Sequence, residues 1–175
     1  MELWRAANSA RRRPAGAVRA SRVRERIDGA DLLLLARYGD RPGGMLLAEQ
    51  FLDGVPDPSA AHIAMVFVHP ALWGCGIGTA LLRALQAGSW TQSSELDHDG
   101  EPAPGRDWTQ LSAWFRDDNR RAQRLFAGAG FADTGHRAHL QDGDVIQQWR
   151  WTAGAGQDPR RTARRESSAP RPTAR

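Results

Sequence analysis

Apolar residues in this chain recur with two different periods, and each change of period marks a new element. Residues 32–38 (LLLLARY) and 44–49 (GMLLAE) are short apolar runs, read as two strands around a turn over Gly39–Gly43, where Pro42-Gly43 favours a reversal. Residues 61–68 (AHIAMVFV) predict a further strand, and strict alternation puts His62, Ala64, Val66 and Val68 on one face. The period then becomes helical: Ile77, Leu81, Ala84 and Leu85 form one buried stripe. Residues 108–115 read as a strand, 119–129 as a second helix with Ala122, Leu125, Phe126 and Ala129 on its apolar face, and 136–140 with 144–151 as an antiparallel pair around Gln141–Gly143. At the start, residues 2–27 predict two short helices broken at Pro14 and Gly16. The acidic, turn-rich stretch 91–107 reads as a surface loop. One domain over residues 1–152 is therefore expected, followed by an Arg- and Pro-rich tail, 153–175, too poor in apolar side chains to order.

Candidate chemistry begins where the third strand meets its helix, in VFVHPALWGCGIGTALL. A strand, a proline, a glycine loop (Gly74, Gly76, Gly78) and a helix N-terminus gather backbone N–H groups at one spot, which suits a phosphate. A Walker A loop needs a lysine, and the chain has none; the dinucleotide fingerprint needs glycine where Thr79 stands. The spacing that remains, P-x-x-[RQ]-G-x-G-x-G/A, resembles the acyl-CoA pyrophosphate loop of the GNAT N-acetyltransferase superfamily, with Trp73 in place of the usual Arg or Gln. The segment NRRAQRLFAGAGF is similar to a second pattern of that superfamily, N-x-x-A-x-x-x-[YF]-x-x-x-G-F. Asn119 stands there as a natural N-cap and Gly130 as a left-handed C-cap. The resemblance covers residues 20–152 and implies an α/β (α+β) fold, a central mixed, mostly antiparallel sheet flanked by helices. The family usually opens with a strand before its first two helices. Only Met1–Leu3 precede Trp4, so either that first strand is missing or the chain starts upstream.

The resemblance also implies an activity, transfer of an acetyl group from acetyl-CoA to a primary amine of a small molecule or peptide by direct attack. Strands 61–68 and 108–115 would splay to admit the coenzyme's pantetheine arm against Val66, Phe67 and Val68. Backbone groups of Trp73, Gly74, Cys75, Gly76, Ile77, Gly78 and Thr79 would hold the pyrophosphate, Asn119 and Phe126 would lie beside the arm, and the Val68 amide would stabilise the oxyanion. Phe126 has no proton for the leaving thiolate, although many relatives carry Tyr there. The general base is left open. His62 lies six extended residues from Val68, about 20 Å away at ~3.3 Å each, and reads instead as a strand-end residue near Glu49; nothing in the sequence orients Tyr38 or His69. A non-catalytic acyl-CoA-binding protein of the same fold is the alternative.

Composition narrows the partners. The formal charge is +4, and every basic residue is arginine, but the arginines crowd residues 1–30 and 153–175 while the segment between is net acidic. An acidic centre is a poor phosphate-backbone binder and a better host for a cationic amine, so no specific nucleic acid is expected. Arg120, Arg121 and Arg124 read as a solvated helix face. Cys75, the single cysteine, excludes an intrachain disulfide and fits a reducing cytoplasm; without a base beside it, it does not read as a nucleophile. With no long apolar run and no metal-ligand cluster, neither a membrane nor a metal partner is expected; a homodimer is compatible with this reading.

Overall fold

The computed structural model describes residues 2–10, 16–88 and 108–154. The helix break at Pro14, the loop 91–107 and the tail from residue 155 lie outside the described residues. Helices α1 (Glu2–Ser9) and α2 (Ala17–Asp28) open the chain, and no strand precedes α1 among the described residues. Leu3, Trp4, Ala7 and Val23 pack with Met45 and Phe67 on one face of a six-stranded sheet. Its strands are β1 (Leu32–Tyr38), β2 (Arg41–Glu49), β5 (Ala60–Val68), β6 (Gln110–Arg116), β7 (Ala132–His139) and β8 (Val145–Thr152), in the spatial order β1-β2-β5-β6-β8-β7. Helices α3 (Ile77–Ala87) and α4 (Arg120–Gly128) cover the other face. There Ile77, Leu81, Leu82, Leu85 and Phe126 close over Leu34, Leu46, Ile63, Leu111 and Ala113. Sheet and helices thus match the expected mixed architecture.

Two turns differ from the expectation. The β1–β2 connection is not a five-residue turn but the pair Gly39-Asp40, with Gly39 at φ 59 and Tyr38 opposite Arg41. Pro42-Gly43 lies inside β2, where Gly43 is the extra residue of a bulge facing Ala36–Arg37. The loop before β5 contains a two-residue hairpin, β3 (Phe51–Leu52) and β4 (Val55–Pro56). Asp53 and Gly54 turn it with φ 52 and 84, the left-handed pair such a turn requires.

One pairing is parallel. β5 and β6 run side by side only from Ala60/Gln110 to Ile63/Ala113. Beyond that point each follows its antiparallel neighbour: β5 stays on β2 as far as Val68/Gly44, and β6 stays on β8 as far as Arg116/Ile146. The two strands fork.

The same stretch corrects the expected face of β5. Met65 pairs with Leu47 and Ile63 with Ala48, leaving Ala64 as an extra, bulged residue. The alternation resets there, so Ala61, Ile63, Val66 and Val68 pack toward α3, and Met65 and Phe67 pack toward α1 and α2. His62 therefore does not share a face with Val66 and Val68. A one-residue slip moves every later side chain across the sheet.

Close approach of α3 to β2 depends on Gly44. A Cβ there would lie 2.6 Å from Ile77 Cγ2 and 3.1 Å from Leu81 Cδ1. Gly44→Ala is expected to lower unfolding free energy by about 1–3 kcal/mol, measured by urea denaturation; an unchanged midpoint would show that α3 yields freely.

Candidate functional site

β5 ends at Val68, and the chain turns through a short 3-10 segment, Pro70–Leu72. His69 holds this turn, its Nδ1 accepting the Ala71 N–H at 3.3 Å. Gly74 and Gly76 then take left-handed conformations, φ 87 and 80, which a residue with a Cβ reaches only under strain. They bend the backbone into the first turn of α3, where the opening N–H groups have no partner within the helix. Among the described residues, the N–H groups of Gly76, Ile77, Gly78 and Thr79 donate to no other backbone group. A Cβ built on Gly76 meets nothing within 4 Å, so the loop faces open space. Gly78 has a separate reason: a Cβ there would lie 3.2 Å from the Leu125 side chain of α4, so its absence admits the close packing of the two helices.

The fork lies directly beside this loop. His69 donates its N–H across to Gly43 on β2 at 2.9 Å. By alternation the N–H and C=O groups of Val66 and Val68 point the other way, into the gap between β5 and β6. Trp73 folds back over the mouth of the gap and donates its indole N–H to the Val68 carbonyl at 3.0 Å. The Arg121 guanidinium, from the first turn of α4, lies 3.7 Å above the Trp73 ring. Indole and guanidinium together link the two sides of the fork.

Helix α4 walls the β6 side. Asn119 caps it, Oδ1 accepting the Ala122 N–H at 3.1 Å. The last turn closes with Gly130 at φ 83 and a Phe131 N–H to Phe126 carbonyl bond of 3.0 Å. Phe126 is buried. Its ring stacks on Phe115, centroids 5.1 Å apart, and meets Phe131 edge-on at 5.0 Å. Phe115 lies on β6 beyond the last β5–β6 pair, so this aromatic cluster reaches the fork.

Residues 2–93 match the acetyltransferase (GNAT) family model. The chain belongs to this family. No curated protein sequence matches it. Solved structures share the fold at low identity. Ard1 from Thermoplasma volcanium superposes with a TM-score of 0.61 at 14% identity, covering 86% of this chain and 88% of that one. The ribosomal-protein-S18-alanine N-acetyltransferase from Escherichia coli gives 0.56 at 18%, covering 89% and 88%. A Bacillus subtilis acetyltransferase in complex with CoA gives 0.59 at 13%, covering 86% and 91%.

On the opposite face of this GNAT sheet from α3, a cavity of about 560 Å³ touches the vertex of the fork. Its lining includes His62 and Ser112, a register pair of β5 and β6, and Trp114, the first β6 residue past the pairing. Asp53, His136 and Gln148 close its far side. His136 arrives there because β7 bulges, three residues (Thr134, Gly135, His136) standing opposite Gln148 alone. Gln148 is buried and organises the polar groups. Its Nε2 donates to Asp53 Oδ1 at 2.7 Å, and an acceptor-only carboxylate fixes that amide orientation. Oε1 then accepts from Thr134 Oγ1 at 3.1 Å and from His136 at 3.0 Å, so the proton on that imidazole is at Nδ1. His62 Nδ1 lies 3.2 Å from Ser112 Oγ.

Burial pushes the Asp53 carboxyl up, but hydrogen bonds from Gln148 and Arg150 outweigh it and hold the group below the usual carboxylate range. His62 is pushed down to about 4, chiefly by burial and then by the charge of Arg26, against an upward pull from Asp53. It is neutral at pH 7.

The two GNAT sequence signals thus converge on one fork, whereas His69 is committed to a turn and Tyr38 is exposed at the β1–β2 hairpin. His62 stands opposite Glu49, as its position suggests, yet it also lines the cavity. Sequence reasoning passed over Asp53, Ser112, Trp114, His136 and Gln148. The Asp53-Gly54 dipeptide was the only local clue, a turn signal rather than a site signal.

Two tests follow from this geometry. Gly76→Glu puts charge and bulk where the loop N–H groups open, and it should abolish the thermal shift given by acetyl-CoA. Gly76→Asn, which tolerates the left-handed backbone, should keep most of it; equal shifts in both variants would remove the loop from the coenzyme site. For His62, the folded pKa lies below the unfolded value. The unfolded chain therefore binds the extra proton between about pH 6.5 and 4, and stability falls as pH drops through that window. The loss should approach about 3 kcal/mol near pH 4. His62→Gln should flatten that part of the stability–pH curve, and an unaltered slope would contradict the buried neutral imidazole.

Proposed function

We propose that the protein is an acetyl-CoA-dependent N-acetyltransferase that acetylates a primary amine by direct attack. The observation that carries this reading is the fork, in which a glycine-loop helix N-terminus and two backbone edges converge on one gap. A phosphate chain fits the loop, because its open N–H groups and the positive end of α3 need no side-chain charge to hold an anion. An extended amide-bearing arm fits the gap, where Val66 and Val68 present backbone groups as a missing strand would receive them. When bound, acetyl-CoA supplies an acetyl group activated as a thioester. Relatives of the same fold support the assignment: one was solved with CoA, another from Salmonella typhimurium with acetyl-CoA.

Of the two amides, that of Val66 is the better oxyanion donor. It lies two residues from the bulged Ala64, near the vertex where the cavity opens, whereas Val68 is further out and has its carbonyl engaged by Trp73. Val68 then serves to hold the arm. Phe126 offers no proton, and an alkyl thiol of pKa about 8.5 is a tolerable leaving group near neutral pH without one. Trp73 and Arg121 must move or make room for the arm to enter between them.

Acetyl-CoA at a hundredfold excess over its dissociation constant should stabilise the protein by about 2.7 kcal/mol. Turnover with a panel of amines would follow thiol release. Val66→Pro removes one gap-facing N–H and should lower kcat by about a hundredfold or more, with coenzyme binding retained. Binding without turnover on any amine would favour a non-catalytic acyl-CoA-binding protein.

A further inference from the structure

The mouth of the gap is held from both sides by one aromatic residue. On the β5 side, the Trp73 indole N–H donates to the Val68 carbonyl at 3.0 Å. On the α4 side, the Arg121 guanidinium lies 3.7 Å above the same ring. The Val68 carbonyl is directed into the gap. The neighbouring His69 N–H bonds Gly43, so Val68 and Gly44 form a register pair whose backbone groups turn away from each other. The indole therefore takes an acceptor that an extended amide arm in the gap would also take. The glycine loop is not covered in this way: Cβ atoms built on Gly74 and Gly76 meet nothing within 4 Å.

We infer that Trp73 and Arg121 form a latch across the gap, which competes with the arm of acetyl-CoA and not with its nucleotide or pyrophosphate. The inference rests on the coenzyme reading above. It depends on what this chain carries at position 73. The indole supplies a single N–H, which closes on Val68, and a negative ring face, which receives the cation from α4. Neither a guanidinium nor a carboxamide at that position would offer Arg121 such a face. One side chain thereby ties the end of β5 to the first turn of α4 over the place where the arm has to lie.

Opening is a side-chain motion. The Trp73 backbone lies at φ −65, ψ 134, an unstrained extended conformation, so the indole can leave by rotating its own side chain while Gly74 and Gly76 keep the loop in shape. Hydrogen bonds balance in the exchange. An amide N–H of the arm replaces the indole N–H on the Val68 carbonyl, and the indole, already 36% exposed, turns its N–H to water. What is lost is one surface hydrogen bond and one surface cation–π contact, so the latch weakens binding of the arm without blocking it. The apparent affinity falls by the fraction of molecules that are open. The CoA product carries the same arm, so the same competition favours its departure after transfer.

The test compares acetyl-CoA and CoA with 3′-phospho-ADP, which carries nucleotide and pyrophosphate but no arm, by calorimetry on the full chain. Trp73→Phe keeps a ring beneath Arg121 and removes the N–H. It should tighten acetyl-CoA and CoA alike by roughly threefold to tenfold and leave 3′-phospho-ADP unchanged. Arg121→Gln removes the cation. It should raise the ratio of acetyl-CoA to 3′-phospho-ADP affinity by roughly twofold to fivefold, and the ratio cancels any effect on the phosphates common to both ligands. A ratio that is unchanged or lower in Trp73→Phe would overturn the latch and leave the coenzyme reading standing. Should Trp73→Phe fail to fold, the ratio in Arg121→Gln, a substitution on an exposed helical turn, decides in the same way. A native protein that binds none of the three ligands would overturn the coenzyme reading, and the latch with it.

Discussion

The structure turns on the divergence of its one parallel strand pair. β5 and β6 share four register pairs and then part, because each is held more fully by an antiparallel neighbour. Parting leaves the backbone groups of Val66 and Val68, and the facing edge of β6 past Ala113, without a partner strand in the gap. Such groups have to be satisfied by water, by a side chain or by a ligand. Trp73 satisfies one of them, the Val68 carbonyl. The rest make the gap receptive to an extended chain of amides. Everything else assigned to function is arranged around that gap: the glycine loop at its mouth, α4 along one wall and the cavity at its vertex.

Bulges do much of this arranging. The extra residue at Ala64 lets Val66 and Val68 pack against α3 while His62, nearer the vertex, lines the cavity on the opposite face. The three-for-one bulge in β7 swings His136 to Gln148. Ser112 and Gln148 are almost fully buried polar side chains on a sheet face, a placement that costs free energy unless each group is bonded. They are bonded: Gln148 to Asp53, Thr134 and His136, and Ser112 to His62. A network so connected holds its members in one arrangement.

The mouth and the aromatic wall are where this chain departs from its family's pattern. Trp73 stands where an arginine or glutamine is usual, and it is paired with an arginine supplied by α4 instead. The cation is thus still present near the loop but is carried by the other side of the fork. Phe126 is fixed by Phe115 and Phe131, a rigid apolar ring with no proton to give.

Much of this was legible in the chain itself. The glycine spacing, the cap at Asn119, the C-terminal glycine of α4 and the strand and helix periods are local, and local chemistry dictates them: left-handed backbone, orphan N–H groups and periodic burial. What the sequence did not carry was register. The apolar run 63–68 reads the same with or without a bulge at Ala64, since both faces of β5 are covered, and alternation alone then assigns His62 to the wrong face. Nor does Pro42-Gly43 reveal that the reversal is made earlier, by Gly39-Asp40, because a bulge in β2 accommodates the proline. The cavity is the clearest case. Asp53, Ser112, His136 and Gln148 lie on separate strands and turns, unremarkable one by one, and their meeting depends on strand order and two bulges. Strand order and bulge position are settled by packing among distant segments, and only the tertiary structure decided them.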